Sequence, residues 1–166
     1  DDIMTNAYFD LKVQQVREVM EVRHGVMLVG DAYSGKSTSL TALARQLDNV
    51  TSLALNPKSI SAHNLYGFTD AASNEWTDGV LTIQFKRLIE AEPEARKWLV
   101  LDGPVDADWI ENLNTVLDDN KKLCLANGDI FFMARNMNIV FEVEDLAEAS
   151  PATVSRCGMV YFEQRM

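Results

Sequence analysis

Two cysteines, Cys124 and Cys157, and four prolines are all that this 166-residue chain offers for covalent cross-links and fixed turns. Two cysteines cannot build a disulfide framework and read as reduced thiols of an intracellular protein. Basic residues are also scarce: 15 Lys and Arg stand against 25 Asp and Glu, a formal charge of −10, with a sequence pI of about 4.6. That balance argues against nucleic acid as the main partner, because phosphate backbones need a basic face. No apolar run approaches the ~20 residues of a membrane helix, so no membrane partner is expected. The chain opens on Asp1 and Asp2 and lacks the basic start of a signal peptide. It does not begin with Met, and the expectation is a piece excised from something longer. Repeats, low-complexity stretches and linkers are absent too. What is present is ordinarily globular, 47% hydrophobic and 24% charged, at a length suited to one domain with a full core.

Apolar spacing predicts strands alternating with helices. Phe9, Val13, Val16 and Met20 share one face of a helix over 7–23, which Gly25 should end. Val26 to Val29 is a continuous apolar run, as expected of a strand buried on both faces. A helix from near Lys36 carries Leu40, Leu43, Ala44 and Leu47. Val50 to Leu55 is a second strand, and Ser59 caps a short helix through Leu65. Residues 66–80 form a hairpin or an ordered loop. A helix over Leu81 to Ala91 precedes a third strand, Trp98 to Leu101. Asp106 or Asp108 caps a helix carrying Trp109, Ile110, Leu113, Val116 and Leu117. Asn127-Gly128 between strand-like runs signals a hairpin. Asn138 to Phe141 and Met159 to Phe162 are the fourth and fifth strands. The alternation predicts a three-layer α/β fold on a five-stranded parallel sheet with a β-hairpin insert.

Gly30-Asp31-Ala32-Tyr33-Ser34-Gly35-Lys36-Ser37, followed by Thr38, matches G-x-x-x-x-G-K-[ST] and lies between a buried strand and a helix. The bland alternative, a chance match in a glycine turn, does not explain that placement. Gly30 and Gly35 are expected to take backbone angles that other residues resist, turning successive N–H groups from Gly30 to Thr38 around a phosphate. The helix beginning at Lys36 adds its dipole. Lys36 should reach the β- and γ-phosphates and Ser37 should ligate Mg²⁺. Asp31 is odd in an anion-binding loop and is expected to point outward. Such a fold needs an acid at a neighbouring strand end to hold the metal, and Asp102, closing Trp98-Leu99-Val100-Leu101, is the candidate. The alternative is an Asp capping a strand–helix turn. The next position, where AAA+ ATPases usually carry a water-activating Glu, is Gly103. The machinery for holding nucleotide is present and the usual base for cleaving it is missing.

The phosphate loop, Asn56-Pro57-Lys58, Glu75-Trp76-Thr77-Asp78-Gly79 and Asp102-Gly103-Pro104-Val105-Asp106 occur in order. Trp109-Ile110-Glu111-Asn112, Leu117-Asp118-Asp119-Asn120-Lys121 and Ala149-Ser150-Pro151-Ala152-Thr153-Val154-Ser155-Arg156-Cys157-Gly158-Met159 follow. Over essentially the whole chain this resembles the second AAA+ module of a dynein heavy chain, and Ser150-Pro151 resembles the axonemal type. The resemblance implies a P-loop NTPase fold within a ring of six modules on one polypeptide. The first module hydrolyses ATP, and the second binds ATP or ADP with Mg²⁺ without cleaving it. It implies as partners the neighbouring modules, the mechanical linker, other dynein chains and, through the parent motor, microtubules. The implied location is the cytoskeleton, in a ciliary or flagellar axoneme. The hairpin near Asn127-Gly128 and residues 66–80 resemble inserts that touch the linker. The family's sensor, an Asn or Thr, would fall near Glu144, so no sensor is assigned. A helical lid should follow the fifth strand, so residues 1–166 are expected to be the large subdomain alone.

Arg156, just before the fifth strand, lies where the resemblance puts an arginine finger acting on a neighbouring module's γ-phosphate. Its alternative is a surface arginine among local acids. His24 reads as a helix-end residue rather than part of an adenine pocket, and His63 as surface. Trp76 is an anchor of its own loop, Asp118 and Asp119 are solvated, and Cys157 is a small packed residue. Two functions compete with the non-hydrolysing ATP-binding module: a self-sufficient P-loop ATPase, which needs a base that position 103 lacks, and a structural ring segment with a vestigial pocket.

Overall fold

The computed structural model of the chain describes residues 2–58, 60–147 and 149–163. In chain order the elements are α1 (Asp2–Val22), β1 (Gly25–Val29), α2 (Lys36–Leu47), β2 (Val50–Leu55), α3 (Ala62–Tyr66), β3 (Gly67–Thr69), β4 (Trp76–Asp78) and α4 (Val80–Glu90). They continue with β5 (Arg96–Asp102), α5 (Ala107–Ile110), a 3₁₀ turn (Glu111–Leu113), α6 (Asn114–Leu117), β6 (Lys122–Cys124), β7 (Ile130–Phe132), β8 (Met137–Val143), α7 (Pro151–Arg156) and β9 (Cys157–Tyr161). The five expected strands form one sheet in the order β2-β5-β8-β1-β9, and every neighbouring pair is parallel.

Successive strand residues point to opposite faces, and that alternation builds the three layers. On β1, Val26 and Leu28 join Val13, Val16, Leu40 and Leu43 of α1 and α2 in one core. Met27 and Val29 join Leu81, Phe85, Trp109, Leu113 and Leu117 on the other face. β1 is buried at every position, which is why the run 26–29 has no polar side. Each aliphatic side chain so enclosed contributes roughly 1.5–3 kcal/mol.

Some local expectations need correction, and the two hairpins hold. Gly25 opens β1 rather than closing α1, which ends at Val22. Ser59 lies outside the described residues, and the cap of α3 is Ser61, whose hydroxyl accepts the Asn64 N–H at 3.2 Å. Residues 66–80 hold the antiparallel pair β3–β4. The helix expected over 106–117 is three short pieces, although its five apolar residues are all buried. The pieces are contiguous, and the α pattern passes into the 3₁₀ turn just after Trp109, whose carbonyl oxygen accepts the Tyr66 hydroxyl; Thr153 donates to the Asn114 side chain at 3.0 Å. Asp106 carbonyl oxygen accepts the N–H groups of Trp109 and Ile110, while the Asp108 side chain lies outside the described residues. The second hairpin, β6–β7, turns on Leu125 to Asp129, with Gly128 at φ 96.

Candidate functional site

A cavity of about 770 Å³ opens at the carboxyl ends of the strands, between the β1–α2 loop and the ends of β5 and β8. Crevices there, where strand order reverses, are where open parallel sheets place ligands. Residues 30–38 wrap from Val29 into α2. The two glycines serve different needs. Gly35 sits at φ 102, in the left-handed region. A Cβ on Gly30 would lie 2.5 Å from the Phe162 carbonyl oxygen and 2.7 Å from Ser34 Oγ, so close approach demands this glycine, not the unusual angle expected of it. Tyr33, also left-handed at φ 67, is fully exposed.

Ala32, Tyr33, Gly35, Lys36, Ser37 and Thr38 line the cavity with Asp102 and Gly103. Asp31 is exposed and does not line it, which agrees with an outward carboxylate. Ser34 Oγ is buried with no hydrogen-bond partner, an acceptor and donor set aside inside the loop. The Lys36 ammonium donates to the Gly30 carbonyl oxygen and, at 3.2 Å, to that of Val143, spanning the loop from β1 to β8. The first N–H groups of α2 have no partner within the helix and face the same space as the dipole's positive end.

Lys58 and Glu142 also line the cavity, and the sequence did not mark either as a site residue. Lys58 is presented by a turn in which its N–H donates to Asn56 Oδ1 at 2.9 Å. Glu142, near the end of β8, is 5% exposed, and its Oε1 accepts the Ser37 hydroxyl at 2.6 Å. The residue level with Asp102 is therefore Glu142, two positions before Glu144, where the motif comparison put the sensor. Burial raises the Glu142 carboxyl above its ordinary range, the Ser37 hydroxyl opposes that, and the Asp102 charge adds to it. Only the register of β5 against β8 could have revealed this pairing, and spacing along the chain does not carry it.

The oxygen set fits a hard divalent cation. Ser37 and the carboxylates of Asp102 and Glu142 are donors of the kind Mg²⁺ takes. Among the described residues no group of three or more His, Cys, Asp or Glu is placed to hold a metal alone. Mg²⁺ that arrives with a nucleotide needs only one or two carboxylates, with phosphate oxygens completing its set.

Gly103 has φ 140, and a Cβ there would stand 2.8 Å from Asn56 Oδ1. Position 103 is thus shaped for glycine by its own backbone and by the turn that presents Lys58.

Arg156 is not part of this cavity. It closes α7 at the opposite end of the sheet, half-buried, with Nη1 donating to the Ala152 carbonyl oxygen at 2.9 Å. His24 is also remote, between α1 and β1, and burial lowers its pKa. His63 lines a second cavity of about 710 Å³ with Lys58 and Asp106. Trp76 pins its own hairpin, its indole N–H donating to Asp78 at 2.7 Å. The buried Cys157 thiol is pushed up to about 12, that of an inert packed residue.

A family model described as AAA domain (dynein-related subfamily) matches residues 25–157. The chain is 49% identical over 167 residues to Dynein axonemal heavy chain 3 of Mus musculus, covering 94% of this chain and 4% of that protein. It is 48% identical over 167 residues to Dynein axonemal heavy chain 12 of Mus musculus (94% and 5%). Over 169 residues it is 48% identical to Dynein axonemal heavy chain 1 of the same species (93% and 4%). The chain thus spans 4% to 5% of the length of these relatives.

Proposed function

The chain belongs to the dynein-related AAA family, and from that premise we propose that it is a regulatory ATP-binding module of an axonemal dynein heavy chain that holds nucleotide with little or no hydrolysis. Residues 1–166 are the large subdomain of the second module, working with its neighbours and the linker of one heavy chain. Through that motor it acts on microtubules in the axoneme of a cilium or flagellum, alongside other dynein chains.

The ligand is ATP or ADP with Mg²⁺. The loop from Gly30 to Thr38 surrounds the phosphates with N–H groups. Lys36 exchanges its carbonyl partners for phosphate oxygens. Ser37 and Asp102 hold the metal, which neutralises phosphate charge when bound.

The observation that carries the non-hydrolysing reading is Gly103. Hydrolysis needs a positioned group to orient the attacking water, and position 103 has no side chain and a backbone at φ 140 that strains any other residue placed there. The outward Asp31 removes the main objection to phosphate binding.

Calorimetry with Mg²⁺–ATP tests the binding. Lys36→Ala leaves a bound triphosphate without its cation, a loss of ~2–5 kcal/mol by analogy with a broken charge pair, and affinity is expected to fall at least ~tenfold. Phosphate release by the wild type should be no faster than by Lys36→Ala. Equal binding by the two would remove the site assignment, and turnover at motor rates would remove the non-hydrolysing reading.

A further inference from the structure

The motif supplies one metal-facing acid, and strand pairing puts a second beside it. β5 and β8 run parallel with Asp102 opposite Glu142, so the two residues stand one strand spacing apart, about 4.8 Å between backbones. Glu142 is buried between Phe141 and Val143, which are buried too. Packing gives no reason for a charge at that place, and a buried carboxylate costs free energy unless a cation compensates it. The Lys36 charge acts on it, but the ion pairs among the described residues, Arg17–Glu21 and Lys86–Asp78, do not include it. Its Oε1 instead holds the hydroxyl of Ser37 at 2.6 Å, the side chain that the phosphate-loop motif gives to Mg²⁺.

The charges around the cavity point the same way. Lys36 and Lys58 face the carboxyl groups of Asp102, Glu142, Glu144 and Asp145. A metal-free triphosphate meets acids that outnumber bases, whereas a nucleotide carrying Mg²⁺ brings the missing positive charge with it.

Resting on the nucleotide-binding reading above, we propose that Glu142 is the metal-selectivity residue of this cavity: with Asp102 it makes a two-carboxylate face that admits nucleotide only together with a divalent cation. Asp102 alone would favour the metal complex. Glu142 steepens that preference, because a second fixed charge within several ångströms of the phosphates shifts affinity by about tenfold or more in a protein-like dielectric. Its grip on Ser37 also pre-orients the hydroxyl that the metal will take.

Isothermal calorimetry on the full chain, with ATP titrated in excess Mg²⁺ and again in EDTA, tests this. In the wild type, removing the metal is expected to weaken binding by about a hundredfold or more. Glu142→Gln keeps the shape and an oxygen for the Ser37 hydroxyl. It is expected to melt no lower than the wild type and to bind metal-free ATP better, shrinking the EDTA-to-Mg²⁺ affinity ratio by about tenfold. Glu142→Asp, which keeps the charge, should retain most of the wild-type ratio.

An unchanged ratio in Glu142→Gln overturns the assignment. So does a wild-type ratio near one, which needs no variant to be folded. Loss of ATP binding in both buffers by Glu142→Gln would make Glu142 a purely structural residue and overturn it as well. Failure of the wild type to bind ATP in either buffer would overturn the nucleotide reading itself, and the selectivity role with it.

Discussion

A carboxylate cannot simply be returned to position 103. Gly103 holds φ 140, and a Cβ there would press on Asn56 Oδ1 at 2.8 Å. That oxygen accepts the N–H of Lys58, so a side chain at 103 disturbs the turn that brings Lys58 to the cavity. Forcing a non-glycine residue into such a conformation costs of order 1–3 kcal/mol. Gly103→Glu is therefore expected to lower the melting temperature and to leave phosphate release at the wild-type level. Thermal melting beside a phosphate-release assay checks both, and a variant that melts with the wild type and hydrolyses ATP would mean that the backbone swings freely there. The residues of the phosphate loop and Asp102 were legible in the sequence because each lies within a contiguous pattern. Glu142 was not, because it enters the site by pairing with a strand some forty residues away, as Asp102 opposite Glu142. Lys58 was quoted as part of a motif, but its place at the cavity follows from a side-chain turn at Asn56 that no spacing rule displays.

At the scale of elements, one lysine links three of them. Lys86 of α4 pairs with Asp78 of β4 at 2.6 Å and lies over the Phe131 ring of β7 at 4.7 Å. Both hairpins, the inserts expected to meet the linker, are thereby tied to one helix. The Lys86 hydrogen bond, aided by the Trp76 indole, holds the Asp78 carboxyl below the usual range despite some desolvation. For an acid lowered in the folded state, the stabilisation is present above the unfolded value, ~3.9, and is lost as pH falls through the folded one. Asp78→Asn should therefore melt below the wild type at neutral pH, and the gap should close as the pH drops below about 4. A gap that persists unchanged into strong acid would assign the effect to shape rather than charge. The five core strands were legible because burial on both faces leaves unbroken apolar runs, as in Val26 to Val29. The change of helix type within 106–117 was not, because the Tyr66 hydroxyl, distant in the chain, captures the Trp109 carbonyl oxygen.

At the scale of the whole molecule, the parallel sheet has two ends with different tasks. The phosphate loop follows Val29, which pairs with Tyr161, while Arg156 precedes Cys157, which pairs with Gly25. Arg156 therefore sits about one strand length, roughly 15 Å, from its own chain's phosphate loop, too far to act on a nucleotide bound there. Its setting is orderly: the Ser150 hydroxyl caps α7 by accepting the Thr153 N–H at 3.2 Å. Thr153 is tied to Asn114, and Arg156 folds onto Ala152. The ordered motifs of the sequence disclosed the family, but the opposition of Arg156 to the cavity required the sheet's register. If the chain sits in the ring that the family resemblance implies, that edge faces a preceding module expected to hydrolyse ATP. A finger placed on a γ-phosphate is worth about 10³–10⁵ in rate. Arg156→Ala in the full motor is accordingly expected to reduce basal and microtubule-stimulated ATPase steeply, while ATP binding at this module stays near wild type. Arg156→Lys should recover only part of the loss, since an ammonium lacks the planar fork. Unaltered turnover, or lost local binding with normal turnover, would make Arg156 an ordinary helix-end residue.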